Sequence, residues 1–324
     1  GTSPPIPPQS ARAHASGAPL MDRDRGYGGG GRGRGGGWDG ARKARAAVAQ
    51  ENYKLRSRWP VTETVYLTPE DCARLCPPRP PRPRGVFGLG ETTPVVSFSG
   101  WTTADAVMEL AARRRLGAGA ICVLDFANGT AEHVGGGYRT GALAQEEDLC
   151  RRMPNLYTSL LQAKRRGFYP FGPCTYAGGH TTGRYCDVLF TPDVALARSG
   201  EAQGFALLDA GRTVVAAVLT AAAPNVNFGG DIADPALMRQ TVRSIFLAPK
   251  GQNPKVTTLV VGAWGCGAFG GDPHLISSLF ADLMVAEGLG DLYDEVHFAI
   301  PAGPNAAIFA ASLQKAGVKV QVVE

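Results

Sequence analysis

Apolar positions along this chain alternate between helical and strand spacing. Ala41 to Arg56 carries Ala44, Val48 and Leu55 on one face among basic residues, which predicts a first helix. Val95–Phe98 reads as a strand, and Thr102 or Thr103 caps a helix to Arg115 with Val107, Leu110 and Ala111 facing inward. Ile121 to Leu124 is a short apolar run ending at Asp125, as expected of a strand covered on both faces, and Asn128-Gly129 breaks it. Thr140 is placed to cap a helix starting near Gly141, and Pro154 opens another through Arg166. Short strands are expected at 186–190 and 205–208, and 213–222 is a near-continuous apolar strand ending at Pro224-Asn225. Asp234 caps a helix to about Ala248, 256–261 is a buried strand, and Asp272-Pro273 starts a further helix. A strand at 296–300, a helix at 305–315 and a strand at 318–323 close the chain. Strands alternating with helices predict one three-layer α/β/α domain around a central mixed sheet, with ligands at the strand C-termini.

Composition divides the 324 residues unevenly. Residues 1–39 are rich in Pro, Gly and Arg, with nine glycines among Gly26 to Gly37 and Arg32 and Arg34 between them. Such a segment buries too little apolar area to offset its ordering entropy, so a disordered tail is expected before a domain spanning 40–324. The tail is either a plain flexible extension or a weak nucleic-acid contact using charge and the rings of Tyr27 and Trp38. Residues 77–84, PPRPPRPR, read as a stiff surface loop, with SH3-type recognition as an alternative use. The net charge of +5 is concentrated before residue 85 and says little about the folded domain. No apolar run reaches membrane-spanning length and no signal pattern opens the chain. Seven cysteines, an odd number, read as reduced intracellular thiols, and a monomer is expected.

Two glycine-rich turns carry the candidate chemistry. Gly135, Gly136 and Gly137 leave successive amides unshielded after one strand, and five glycines lie in Gly262 to Gly271 after another. Turns of this kind suit a phosphate, and a diphosphate needs donors from both sides. Neither fits GxxxxGK[ST], and neither is GxGxxG with a following acidic residue, which disfavours nucleotide triphosphatases and nicotinamide dehydrogenases. Glu146 and Glu147 follow the first turn. Adjacent α-carbons lie about 3.8 Å apart with side chains diverging by about 100°, so the pair cannot easily flank one bond from opposite sides. One carboxylate must therefore do most of any proton work. Cys174, His180 and Cys186 fit no common zinc pattern and read as loop residues.

The triple glycine, seven intervening residues and Gln145-Glu146-Glu147 resemble the GGG-x(6-8)-QEE signature of the microbial-type poly(ADP-ribose) glycohydrolases. The resemblance extends through VLDFAN, LCRR, TAAAPN (Thr220 to Asn225), GAWGCGAFGGDP (Gly262 to Pro273) and VHFAI (Val296 to Ile300), in the family's order from about residue 40 to the C-terminus. It implies a macrodomain fold and hydrolysis of ribose–ribose bonds in poly(ADP-ribose), releasing ADP-ribose without a metal or cofactor. Glu147 would protonate the leaving ribose 2′-oxygen and then activate water, while Glu146 would hold ribose hydroxyls and Gln145 would position them. Asn128 would orient the distal ribose, Gly265, Cys266, Gly267, Ala268, Phe269 and Gly270 would form the diphosphate loop, and Phe269 would pack on the ribose or in the core. Asp125 stands where relatives often have Asn, and His133-Val134 replaces a common Asn-Pro. The implied partners are poly(ADP-ribose) and ADP-ribosylated macromolecules. Two other readings stay open: a module that binds ADP-ribose without cleaving it, and a hydrolase of single ADP-ribosyl groups.

Overall fold

The computed structural model describes residues 35–76, 95–174, 183–227 and 231–324, with side chains from residue 39 onward. Most of the expected tail, the 77–84 insert and His180 lie outside the described residues. In chain order the elements are α1 (Gly35–Lys54), β1 (Val65–Leu67), α2 (Pro69–Leu75), β2 (Val95–Ser99), α3 (Thr103–Arg114), β3 (Ile121–Ala127), α4 (Gln145–Arg152) and α5 (Pro154–Arg165). Then follow β4 (Val188–Leu196), β5 (Val214–Ala222), α6 (Pro235–Gln252), β6 (Thr258–Val261), α7 (Pro273–Val285), β7 (Glu295–Ala299), α8 (Pro304–Lys315) and β8 (Val320–Val322). The strands form one eight-stranded mixed sheet in the order β1-β4-β5-β3-β6-β7-β2-β8. β4 is antiparallel to β1 and β5, and the remaining pairs are parallel.

Alternation along β3 builds the layers. Ile121, Val123 and Ala127 pack with α1, α3, α4 and α5, while Cys122 and Leu124 pack with α6, α7 and the sheet's other face. The expected α/β/α layering follows. Thr102, Asp234 and Asp272 cap α3, α6 and α7 with their side chains, as read from sequence.

Several local expectations need correction. α1 begins at Gly35, inside the segment that composition assigned to the tail, despite the low helix propensity of its three opening glycines. Its inward face is Arg45, Val48, Ala49 and Asn52, whereas Ala44 is exposed. Residues 205–208 form no strand, only an isolated bridge between Arg198 and Leu207. Thr140 does not cap a helix at Gly141. It ends a single 3-10 turn, Tyr138–Thr140, and α4 starts at Gln145 after Ala144. The β1–α2 unit has no counterpart in the sequence reading; Thr68 and Asp71 form a capping box there, a signal that the short, polar flanks obscured.

Candidate active site

The site grows from the carboxyl end of β3. β6 pairs with β3 only over Ile121–Val123, so the next part of that edge lacks a strand partner. Gln145 supplies one. Its Oε1 accepts from the Phe126 amide at 2.9 Å, and its Nε2 donates to the Leu124 carbonyl at 2.7 Å and Thr103 Oγ1 at 3.1 Å. The carboxamide thus replaces two ladder bonds and fixes the first residue of α4 against the sheet. Both of its ends serve the protein, which makes Gln145 a positioning residue.

The next two residues are buried, with Glu146 3% and Glu147 7% exposed, not on a solvated face. Their side chains converge on the triple glycine. The Gly137 amide donates to Glu147 Oε1 at 2.8 Å, and the Asn128 amide donates to Glu146 Oε2 at 3.0 Å. Gly135 also gives Glu146 a backbone hydrogen bond, and the Gly136 amide donates to the His133 carbonyl at 2.8 Å. The three glycine amides are therefore not open to a phosphate, contrary to the expectation from their lack of side chains. Those of Gly135 and Gly137 hold the glutamates. Glycine is required for a steric reason too: a Cβ on Gly136, at φ +57°, would lie 2.5 Å from Glu147 Oε1 and 3.1 Å from Glu146 Oε2.

Beneath the glutamates lies a polar pocket in an apolar layer. Asp125, fully buried, lies on the same sheet face as Ile121 and Val123, under α4. Neither of its oxygens reaches a hydrogen-bond partner among the described residues, nor do Glu146 Oε1, Tyr169 Oη and Thr220 Oγ1. Burial pushes the Asp125 carboxyl up to about 7; Thr220, its register partner on β5, offsets part of this, and the nearby Glu147 charge adds to it. Glu146 is pushed well above the usual carboxylate range by burial first, then by Asp125. The start of α4 places three acidic residues where a helix N-terminus favours negative charge. Glu146 has one oxygen sequestered and the other on the Asn128 amide, whereas Glu147 uses only Oε1 within the protein. Glu147 therefore has the oxygen available to a ligand.

Anion donors come from the second glycine loop. The carbonyls of Ala268 and Phe269 turn inward, accepting from Asn227 Nδ2 at 2.8 Å and the Val226 amide at 2.9 Å. The amides of Gly267, Ala268 and Phe269 have no bonded partner among the described residues, and Gly267 and Ala268 are exposed. Successive outward amides of this kind make an anion cradle. Gly265 and Gly270 take positive φ at the loop's ends, and Trp264 anchors it through Nε1 to the Ala221 carbonyl at 2.9 Å. Cys266 is half-buried, its thiol pushed up to about 12 by burial, and Phe269 packs against the core's edge. Asn128 Oδ1 accepts from the Thr130 amide and hydroxyl, leaving its Nδ2 without a partner among the described residues. Beside Gln145 a 340 Å³ cavity, lined by Thr102, Phe126, Leu143, Ala263, Ile300 and Pro301 among others, opens at the ends of β2, β3, β6 and β7. Its lining is mostly apolar, as a planar ring system requires.

The sequence reading did not single out Arg45 and Asn52 of α1, which bond to the turn after the triple glycine. Their spacing with Val48 and Ala49 follows one helix face, a signal visible only if polar residues are allowed on it. No group of three or more potential metal ligands occurs among the described residues. No described helix is long and apolar enough to cross a membrane.

Residues 61–199 match the family model for the microbial-type PARG catalytic domain. Among solved structures, poly(ADP-ribose) glycohydrolase from Thermomonospora curvata aligns at 26% identity and TM-score 0.64, covering 83% of this chain and 99% of that one. The same enzyme bound to the inhibitor ADP-HPD aligns at 25% identity and TM-score 0.63, with the same coverage. Poly(ADP-ribose) glycohydrolase from Deinococcus radiodurans in complex with ADP-ribose aligns at 26% and 0.59, covering 84% and 97%. A comparison with curated protein sequences found no significant match.

Proposed function

We propose that this chain, similar to the microbial-type poly(ADP-ribose) glycohydrolases over 61–199 and to bacterial enzymes of that kind over most of its length, hydrolyses ribose–ribose bonds of poly(ADP-ribose) and releases ADP-ribose. It is a glycosidase on a macrodomain-like fold. The observation that carries the site assignment is the pair of buried glutamates held in place by backbone amides beside an outward-facing amide loop and an apolar cavity. In this reading the 340 Å³ cavity takes the adenosine, the 267–269 amides take the diphosphate, and the distal ribose reaches Glu147 past Asn128. Glu146, pushed toward its neutral form by burial and then by Asp125, holds the Asn128 backbone beside the ribose rather than meeting the sugar itself.

Glu147 then carries the proton chemistry. The glycosidic carbon–oxygen bond breaks as Glu147 gives its proton to the leaving 2′-oxygen, and the carboxylate left behind takes a proton from the water that attacks the oxocarbenium-like carbon. The Gly137 amide orients that carboxyl throughout. The test is ADP-ribose release from purified polymer by the wild type and by Glu147→Gln. Release by the wild type, with binding but at least about 100-fold less release by the variant, is expected. A wild type that binds ADP-ribose and leaves the polymer whole would sink this reading in favour of a binding module. We further propose an intracellular location, for which seven free thiols speak, a monomeric state, and an Arg/Gly segment that is either a plain flexible extension or a weak nucleic-acid contact. Sedimentation, and a gel shift with single-stranded RNA that Arg32→Ala and Arg34→Ala weaken, test these assignments.

A further inference from the structure

α1 packs on the segment that leaves the triple glycine, and it lies outside the 61–199 match. Its buried face is unusual in being half polar. Arg45 Nε donates to the Gly141 carbonyl at 2.9 Å while Nη1 pairs with Glu201 at 2.7 Å. One turn earlier, at the exposed margin of that face, Arg42 Nε donates to the Thr140 carbonyl at 2.9 Å. Asn52 Nδ2 donates to Tyr138 Oη at 3.1 Å and to the Arg151 carbonyl at 2.9 Å, and its Oδ1 accepts from Arg198 Nε at 2.7 Å. The contact is close at the backbone: Gly141, at φ +79°, has the Arg42 carbonyl where a Cβ would stand, only 2.1 Å away.

The turn's other contacts come from its own backbone, from α4 and from α5. It begins at Gly137, whose amide fixes Glu147, and closes with the Ala142 amide on the Gly137 carbonyl at 3.1 Å. Arg151 of α4 caps its far end through the Ala142 carbonyl at 2.8 Å. Tyr138 packs on Tyr157 at 4.8 Å, and the Tyr157 ring lies against Gly135. Asn52 thus binds both the turn, through Tyr138, and α4, through Arg151, and so sets the distance between Gly137 and Glu147.

We propose that α1 is a working part of the active site, with Asn52 and Arg45 as positioning residues that fix the 138–141 turn and, through the Gly137 amide, aim the Glu147 carboxyl. This rests on the glycohydrolase reading above. Asn52→Asp keeps shape and the Arg198 partner but loses both donated hydrogen bonds. The expected result is a kcat lowered about 10- to 100-fold, with KM and ADP-ribose affinity within two-fold, because the ligand-holding loop at 267–269 is untouched. Tyr138→Phe should lower kcat without adding to the effect of Asn52→Asp in the double variant. Hydrogen exchange should quicken at the Gly137, Gly141 and Ala142 amides while β3 and β5 keep their protection. Arg45→Lys, which keeps the charge beside Glu201, gives a second reading should Asn52→Asp fold poorly, and Lys43→Ala on the exposed face should match the wild type. Unchanged kcat and unchanged exchange at the turn, or losses that only track the folded fraction, would overturn the proposal. An inactive wild type whose turn exchange still responds to Asn52→Asp would instead count against the glycohydrolase reading.

Discussion

Asp125→Asn should make the protein more stable at neutral pH and leave it nearly unchanged near pH 4. In the folded chain the Asp125 carboxyl is pushed up to about 7, chiefly by burial, from an ordinary value of 3.8. The folded state then holds a proton that the unfolded chain gives up between pH 3.8 and 7, so stability from this group is full below that window and falls as pH rises through it. At about 1.4 kcal/mol per pH unit the loss amounts to about 4 kcal/mol above pH 7, an upper figure because Glu146 and Glu147 share the same field. Asparagine carries no charge and so no such cost. Urea unfolding of both proteins from pH 4 to 8 measures it: the gap between variant and wild type should open steadily to pH 7 and then stay level. Parallel curves across that range would refute the reasoning, because Asp125 would then be ionising as it does in the unfolded chain.

Gly136→Ala puts a methyl 2.5 Å from Glu147 Oε1 on a left-handed backbone, so kcat should fall by about 100-fold or more, with release assays against ADP-ribose affinity separating chemistry from binding. Gln145→Leu leaves the Leu124 carbonyl and Phe126 amide unpaired beside the sheet and should cost about 3 kcal/mol by urea unfolding. His297, buried between Ser97 and Ser99, is pushed down to about 4 by burial, so its sign is opposite to that of Asp125. The folded state refuses a proton that the unfolded chain takes up, and about 3 kcal/mol should be lost as pH falls from 6.5 to 4; a His297→Asn variant should lack that slope.

How far the sequence reaches depends on whether a residue's partner is close along the chain. β3, β5, β6 and β7, with the caps at Thr102, Asp234 and Asp272, follow from local apolar runs and turn chemistry, and they appear within a few residues of their expected bounds. The glutamates were legible through a motif, but their setting was not. The glycine amides look free in sequence because no side chain shields them, yet that of Gly137 is consumed by the Glu147 carboxylate ten residues on, a contact that only the chain's return through α4 creates, and that of Gly136 by the His133 carbonyl. The same limit hid α1's role. Asn52 and Tyr138 lie 86 positions apart, Arg45 and Gly141 lie 96 apart, and a polar residue on a helix face reads as solvated until something is packed on it. The hidden part is thus the polar minority inside the α1–α4 layer: Arg45, Asn52, Asp125 and the glutamates, each buried at a cost that apolar residues would avoid. Burying this many polar groups near one turn is consistent with their geometry mattering more than their transfer cost, as the chemistry proposed for Glu147 requires.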